Sequence, residues 1–328
     1  GRIISLVGEG GRDVVAGTTE RVSIDGAGAQ GDGASEYPAI SADGRYVAFH
    51  SEAPHLVAGD TSGAWDVFVH DRTAGSTTRG SVDSAGNQQD WSFNPSISAD
   101  GRYVAFLSWD DSFVLPDSGW ADVFVHDRTA GVTTRVSVDS FGDQGAGHSE
   151  FPSISADGRY VAFQSWAPDL VAGDTNGGLQ DGGQLLFRAA TQAADIFVHD
   201  RVTATTERAM GDGVAPPPGA PLLGDGTSLP NSPRAVSLDG RFVAFESLAT
   251  NLVPGDTNAA SDIFVRDRLL ATTWRVSVDS LGNQADGRSG SPAISSDGRF
   301  VAFESSASNL VPGDANGSSD VFVHDRTT

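Results

Sequence analysis

The chain has 328 residues, 38% of them hydrophobic, with 40 Gly and 15 Pro; it is long enough for two ordinary domains or one repeat array, and rich in turns. A net charge of −22 repels a phosphate backbone and an anionic bilayer alike, which excludes nucleic acid as a partner and favours cations, metal ions or basic proteins. Cys is absent, so there is neither a disulfide nor a thiolate metal site, and no apolar run approaches the roughly 20 residues that span a bilayer, so no membrane insertion is expected.

The first 17 residues contain two strand-like pieces, Ile3–Val7 and Arg12–Ala16, that stand outside any repeat. Residues Thr18–Ile24 (TTERVSI) match the later TTRVSV at 133–138. The phrase SxDGRxVAF then begins at Ser41, Ser98, Ser155, Ser237 and Ser295, at intervals of 57, 57, 82 and 58 residues. The long interval holds insertions at 177–194 and 211–231, the second with Pro216, Pro217 and Pro218.

In the second unit the strand-like runs are Asn94–Ser98, Arg102–Leu107, Asp122–His126 and Thr133–Val138. Asp100-Gly101 joins the first two as a tight hairpin turn, a role that Asp43, Asp157, Asp239 and Asp297 share in the other units. Four antiparallel strands per period predict an all-β, five-bladed β-propeller over residues 18–328, a single domain. The last unit reaches Thr328 before a fourth strand, so the expectation is that Thr18–Ile24 closes the last blade and seals the ring.

The repeats resemble the WD40-like β-propeller repeats of the TolB type, on the strength of SADGRYVAF followed by DVFVHDR, over residues 18–328. The resemblance implies the propeller fold. It implies no single activity, because the family includes binding scaffolds, assembly partners and propellers fused to enzymes. Some TolB-type proteins add a separate N-terminal domain, which has no counterpart in the repeat pattern.

Between its second and third strands each unit carries an acidic loop, as in LVPGDTNAASD and LVPGDANGSSD. Carboxylates and an amide spaced around a Gly turn offer the oxygen ligands that hard divalent cations take. The candidate Ca²⁺ ligands are Asp60, Ser62 and Asp66; Asp117 and Asp122; Asp174, Asn176 and Asp195; Asp256, Asn258 and Asp262; and Asp314, Asn316 and Asp320. The competing role for the same residues is Asx-type turn capping. Five bound ions would take the net charge from −22 to −12.

Four third strands end in His-Asp-Arg (His70, His126, His199, His324) and the fourth unit has Arg266 instead. One His per blade reads as a repeated structural hydrogen bond between neighbours, and the Asp-Arg pair that follows as a strand-end ion pair. The innermost strands PAIS, PSIS and RAVS offer no carboxylate, so no catalytic pair is expected on them. The units differ just upstream, at Glu36, Tyr37, Trp91, Phe93, His148, Glu150 and Arg288, where aromatic and polar groups would line a funnel mouth and receive a protein or glycan partner.

The functional expectation is an exported, non-catalytic binding or structural scaffold, stabilised by Ca²⁺ and placed outside the cell, on its surface or in the periplasm. A start at Gly1 without Met suits a processed chain, and the Arg-only basic complement suits a bacterial source. A carbohydrate-binding or glycoside-processing protein using Glu36 and Glu150 is the alternative from another class. A third is a homopolymer built by donation of the N-terminal strand.

Overall fold

The computed structural model describes residues 19–60, 63–174, 194–209 and 235–327. The pieces before residue 18, Ser62, Asn176 and nearly all of both insertions lie outside the described residues. Nineteen strands are described, and they form five antiparallel sheets in simple meander order. Sheet 1 is β1 (Ser35–Ile40), β2 (Tyr46–Ser51), β3 (Asp66–Asp71) and β4 (Ser76–Arg79). Sheet 2 is β5 (Ser92–Ile97), β6 (Tyr103–Ser108), β7 (Asp122–Asp127) and β8 (Val132–Arg135). Sheet 3 is β9 (Ser149–Ile154), β10 (Tyr160–Ser165), β11 (Asp195–Asp200) and β12 (Thr205–Arg208). Sheet 4 is β13 (Ala235–Val236), β14 (Phe242–Ser247), β15 (Asp262–Asp267) and β16 (Thr272–Arg275), and sheet 5 has only β17 (Ser289–Ile294), β18 (Phe300–Ser305) and β19 (Asp320–Asp325).

In sheets 2, 3 and 4 both faces of a middle strand are apolar because each of these sheets packs between two others. From sheet 2, Val104, Phe106 and Phe124 pack on Val67 and Val69 of sheet 1. Ala105, Val123 and Val125 turn the other way, onto Val161, Phe163 and Phe197 of sheet 3. The same division recurs between sheets 3 and 4 and between sheets 4 and 5. Each fully buried Val or Phe in these layers contributes about 1.5–3 kcal/mol.

A second device ties consecutive sheets together. Tyr46 lies against the Asp100-Gly101 turn of sheet 2, so close that a Cβ at Gly101 (φ 73°) would stand 2.1 Å from the ring. Only Gly fits that approach. The Arg128 guanidinium covers the Tyr46 ring at 4.7 Å, and Arg201 over Tyr103, Arg268 over Tyr160 and Arg326 over Phe242 repeat the contact at the next three junctions. The Arg of the His-Asp-Arg or Arg-Asp-Arg phrase in sheets 2 to 5 therefore serves the junction. The strand-end ion pair is made instead by the Arg of the Asp-Gly-Arg turn: Arg45–Asp71 at 2.7 Å, and Arg102–Asp127 and Arg159–Asp200 at 2.6 Å.

Two boundaries of the second unit differ from expectation by more than one residue. β5 begins at Ser92 rather than Asn94, because a register shift between Phe93 and Ser96 bulges the strand yet keeps it paired to β6. β8 ends at Arg135, after which the chain leaves the sheet toward a turn closed by Asp139.

The larger difference concerns closure. Residues 19–24 make no strand with β19; they stand on sheet 1, where Arg72 pairs with Glu20 and the Thr77 hydroxyl donates to the Ile24 carbonyl. Among the described residues no strand pairs with the outer side of β19, the edge of sheet 5.

Candidate ligand-binding rim and acidic loops

The first strands of consecutive sheets neighbour one another, β1 beside β5 and β5 beside β9. In each of β1, β5, β9 and β17 the residue before Pro is a non-Gly residue at positive φ: Tyr37, Asn94, Phe151 and Ser291, at 50–55°. A Pro that follows disfavours this backbone, so each position stores strain and marks the inner rim as a place where ordinary strand geometry is given up. A different side chain occupies it in each of these four sheets.

The predicted mouth residues gather around two histidines. Tyr37 stacks on His50 at 5.1 Å, Phe93 and Trp65 meet the same ring edge-on at 5.6 and 5.0 Å, and Glu36 Oε2 lies 3.9 Å from His50 Nε2. The Asn94 amide donates to His50 Nδ1 at 3.0 Å, which places the imidazole proton on Nε2. Burial pushes His50 down to about 4, so the ring is neutral around pH 7. In the next sector His148 sits between Trp109 (4.7 Å) and Trp120 (4.9 Å), accepts from the Ala121 amide at 3.0 Å and is likewise lowered by burial. Tyr37, Trp91 and Trp109 remain 54%, 56% and 41% exposed.

Arg288 is placed elsewhere along the rim, 3.3 Å from the buried Glu246 of β14. Glu150 pairs across β9 and β10 with Gln164, which is wholly buried. His50, Trp65, Trp109, Trp120, Gln164 and Glu246 belong to the rim and were not among the predicted residues. Their signal is available in the repeat, since the residue after VAF reads His50, Leu107, Gln164, Glu246 and Glu304 across the five units.

The acidic loops do converge, but around an arginine. Arg79 lies 2.8 Å from Asp60 and 3.7 Å from Asp66. Arg135 pairs with Asp117 and, at 3.1 Å, with Asp122; Arg208 meets Asp174 and Asp195 at 3.6 and 3.3 Å; Arg275 meets Asp256 and Asp262 at 3.5 and 3.4 Å. A Ser and a Gln complete the centre. Ser137 donates to Asp122 at 2.6 Å and Gln144 bridges Asp122 (2.6 Å) and Asp117 (3.1 Å), a pattern repeated by Ser277 and Gln284 in sheet 4. Burial pushes the Asp66 and Asp122 carboxyls up to about 7 against the pull of the guanidinium and serine. Among the described residues no three His, Asp or Glu side chains are arranged to hold a metal ion. Asn258 and Asn316 cap their loops, with side-chain oxygens accepting from the Ala260 and Ser318 amides.

The recurring histidines are links between sheets. Nδ1 of His70, His126 and His199 lies 2.8–3.0 Å from a Thr hydroxyl (Thr77, Thr133, Thr206), and each hydroxyl donates to a carbonyl of the segment that runs into the sheet ahead of its first strand (Ile24), or from the preceding sheet (Val82, Val138). Arg266 reaches Thr273 at 3.2 Å in the same way.

The chain is similar in fold to a protein assigned as TolB from Agrobacterium tumefaciens, with TM-score 0.50 and 16% identity over 90% of this chain and 78% of that one. It is similar also to the β-propeller domain of the trilobed protease from Pyrococcus furiosus, with TM-score 0.50 and 10% identity over 90% and 70%. No family model and no curated protein matches the sequence. At these identities the likeness establishes the β-propeller fold, shared by TolB-type and other propellers, and nothing of activity.

Proposed function

We propose that the protein is an exported, non-catalytic binding platform whose contact surface is the inner rim of sheets 1 to 3. The observation that carries this reading is the exposure of Tyr37, Trp91 and Trp109, the first two on strained backbone at positive φ, where the repeat units differ most. Large aromatic faces edged by polar groups supply contact area at low entropic cost. The polar groups in reach suit recognition better than proton transfer: Glu246 is tied to Arg288, and Glu36 faces an imidazole that burial keeps neutral. A cysteine-free, strongly acidic chain suits export. Among the described residues no helix is long and apolar enough to cross a membrane.

A second reading, saccharide recognition, is favoured by the Trp109–His148–Trp120 group, a stacking surface with a neutral imidazole donor beside it. Binding of wild type and of the Trp91→Ala/Trp109→Ala double variant to a glycan array, followed by Glu36→Gln and Glu150→Gln, tests both readings. Ligands retained equally by the double variant would remove the rim as the contact surface; absence of any saccharide signal would remove the second reading alone. Calcium carries over as a proposal for the acidic loops, where an ion would compete with the resident guanidinium; an unchanged melting temperature in EDTA would remove it.

A further inference from the structure

Residues 19–30 have the form of something they are not yet part of. Aligned on 273–284, their internal bonds and their contacts with sheet 1 have counterparts elsewhere in the chain. Ile24 bridges Gln30 as Val82 bridges Gln88, Val138 bridges Gln144 and Val278 bridges Gln284. Asp25 accepts from the Ala27 and Ala29 amides as Asp279 does from Leu281 and Asn283. Thr77 donates to the Ile24 carbonyl as Thr133 does to that of Val82, and Arg72 pairs with Glu20 as Arg268 pairs with Glu207 of β12. The segment therefore stands on sheet 1 as the fourth strand of each sheet stands on the sheet that follows. The side chains that would face its own sheet are without one: Arg21, the counterpart of Arg275, is exposed and turned onto Gln30 Oε1 at 2.5 Å.

Sheet 5 shows the complementary lack. Asp314, Asn316 and Asp320 repeat Asp256, Asn258 and Asp262, yet among the described residues no guanidinium reaches them, and Asp320 accepts only from Asn316 Nδ2 at 2.8 Å. Val321, Val323 and Phe300 are 74%, 66% and 40% exposed, whereas their equivalents Ile263 and Val265 are fully buried and Phe242 packs on Gly298 under Arg326. The groups that would cover Phe300 in the same way, Gly44 (φ 72°) and Arg72, stand on sheet 1.

We propose that residues 19–24 of one copy add as the fourth strand to β19 of a second copy, seating sheet 1 of the first on the open face of sheet 5 of the second. Arg21 then enters the Asp314–Asp320 centre, Ser23 and Gln30 take the places of Ser277 and Gln284, and the Val321–Val323 face is covered. A second copy is the occupant because, among the described residues, nothing in a single chain covers either surface, the Arg21 guanidinium complements the Asp314 and Asp320 carboxylates, and the two surfaces lie at opposite ends of the sheet series. The contact is heterologous, so it propagates head to tail.

Sedimentation and light scattering of the 328-residue protein across concentration test this. Mass is expected to rise from 34.0 kDa toward its multiples. Arg21→Asp alters an exposed side chain and Asp320→Arg a half-buried one at the sheet edge, so both variants are expected to keep the wild-type circular dichroism while each alone needs at least about tenfold more protein to assemble. An equimolar mixture of the two restores assembly, because the introduced carboxylate of one chain then meets the introduced guanidinium of the other, and the alternate contact in the chain of copies is native. A mass of 34.0 kDa at every concentration with β19 amides protected from hydrogen exchange would overturn the proposal in favour of closure within one chain. Assembly indifferent to both substitutions would overturn it too.

Discussion

Sheet 2 and sheet 5 are written in nearly the same letters and have opposite fates. Both carry a middle pair of VAF and DVFVHD strands, but Val123 and Val125 are fully buried, while Val321 and Val323 face solvent. In sheet 2, Asp122 is enclosed by Arg135, Ser137 and Gln144; in sheet 5, the one side chain that reaches Asp320 among the described residues is Asn316. The strand pairing of the shared hairpins is the same, residue for residue. What differs is the presence of a fourth strand and of a following sheet. A propeller sheet is thus half of its own environment, and burial, charge pairing and carboxylate acidity all come from the neighbour.

The largest break in that comparison is expected at the arginine. Arg135→Leu leaves Asp117 and Asp122 buried together without their cation, a loss of about 3–5 kcal/mol in urea unfolding. Arg21→Leu, the equivalent change where the acid centre is lacking, is expected to stay within about 0.5 kcal/mol at concentrations below assembly. A matching loss at Arg21 would mean that the first and last sheets are already joined.

The apolar layer offers the next test. Ile263→Ala removes a fully enclosed side chain between sheets 4 and 5 and is expected to cost about 2–5 kcal/mol. Val321→Ala, at the equivalent place on the open face, is expected to cost about 0.5 kcal/mol or less in the unassembled chain. Equal losses would show that the face of sheet 5 is covered in solution.

The repeats in the sequence foretold the sheets, their internal pairing and the Asp-Gly turns, because hairpin register is settled by neighbours a few residues apart. The occupant of the acidic loops was harder to read: the arginine joining Asp117 comes from a position 18 residues later, on the far edge of the same sheet. A ligand-like run of Asp and Asn looks the same whether a metal ion or a guanidinium neutralises it. The rim was legible in part. Tyr37, Trp91, Phe93 and His148 stood out as differences between units, but His50 and Glu246 were concealed inside the recurring VAF strand, one residue past the shared letters. Closure was not legible at all, since TTERVSI satisfies the same pairing pattern in its own chain or in another.

The smallest expected effect concerns protons. Burial holds Asp122 near 7 in the folded protein, against about 3.8 when exposed, so between these values the folded state binds a proton that the unfolded state releases. Stability from this group is complete below about pH 4 and is given up as pH rises through 7. Relative to Asp122→Asn, the wild type should therefore lose about 2–3 kcal/mol between pH 5 and pH 8, measured as the difference in urea midpoints at constant slope. Subtracting the variant removes the opposing contribution of His50 and His199, which burial depresses to about 4 and which weaken the fold as pH falls below their ordinary 6.5. Asp262→Asn should show the same sign in sheet 4, where burial also raises the carboxyl and Arg275, Ser277 and Gln284 rebuild the same centre. If the wild type instead gained stability over that interval, the carboxylates would be ionised and fully compensated in place, and the contrast between the enclosed sheets and the open one would rest on apolar burial alone.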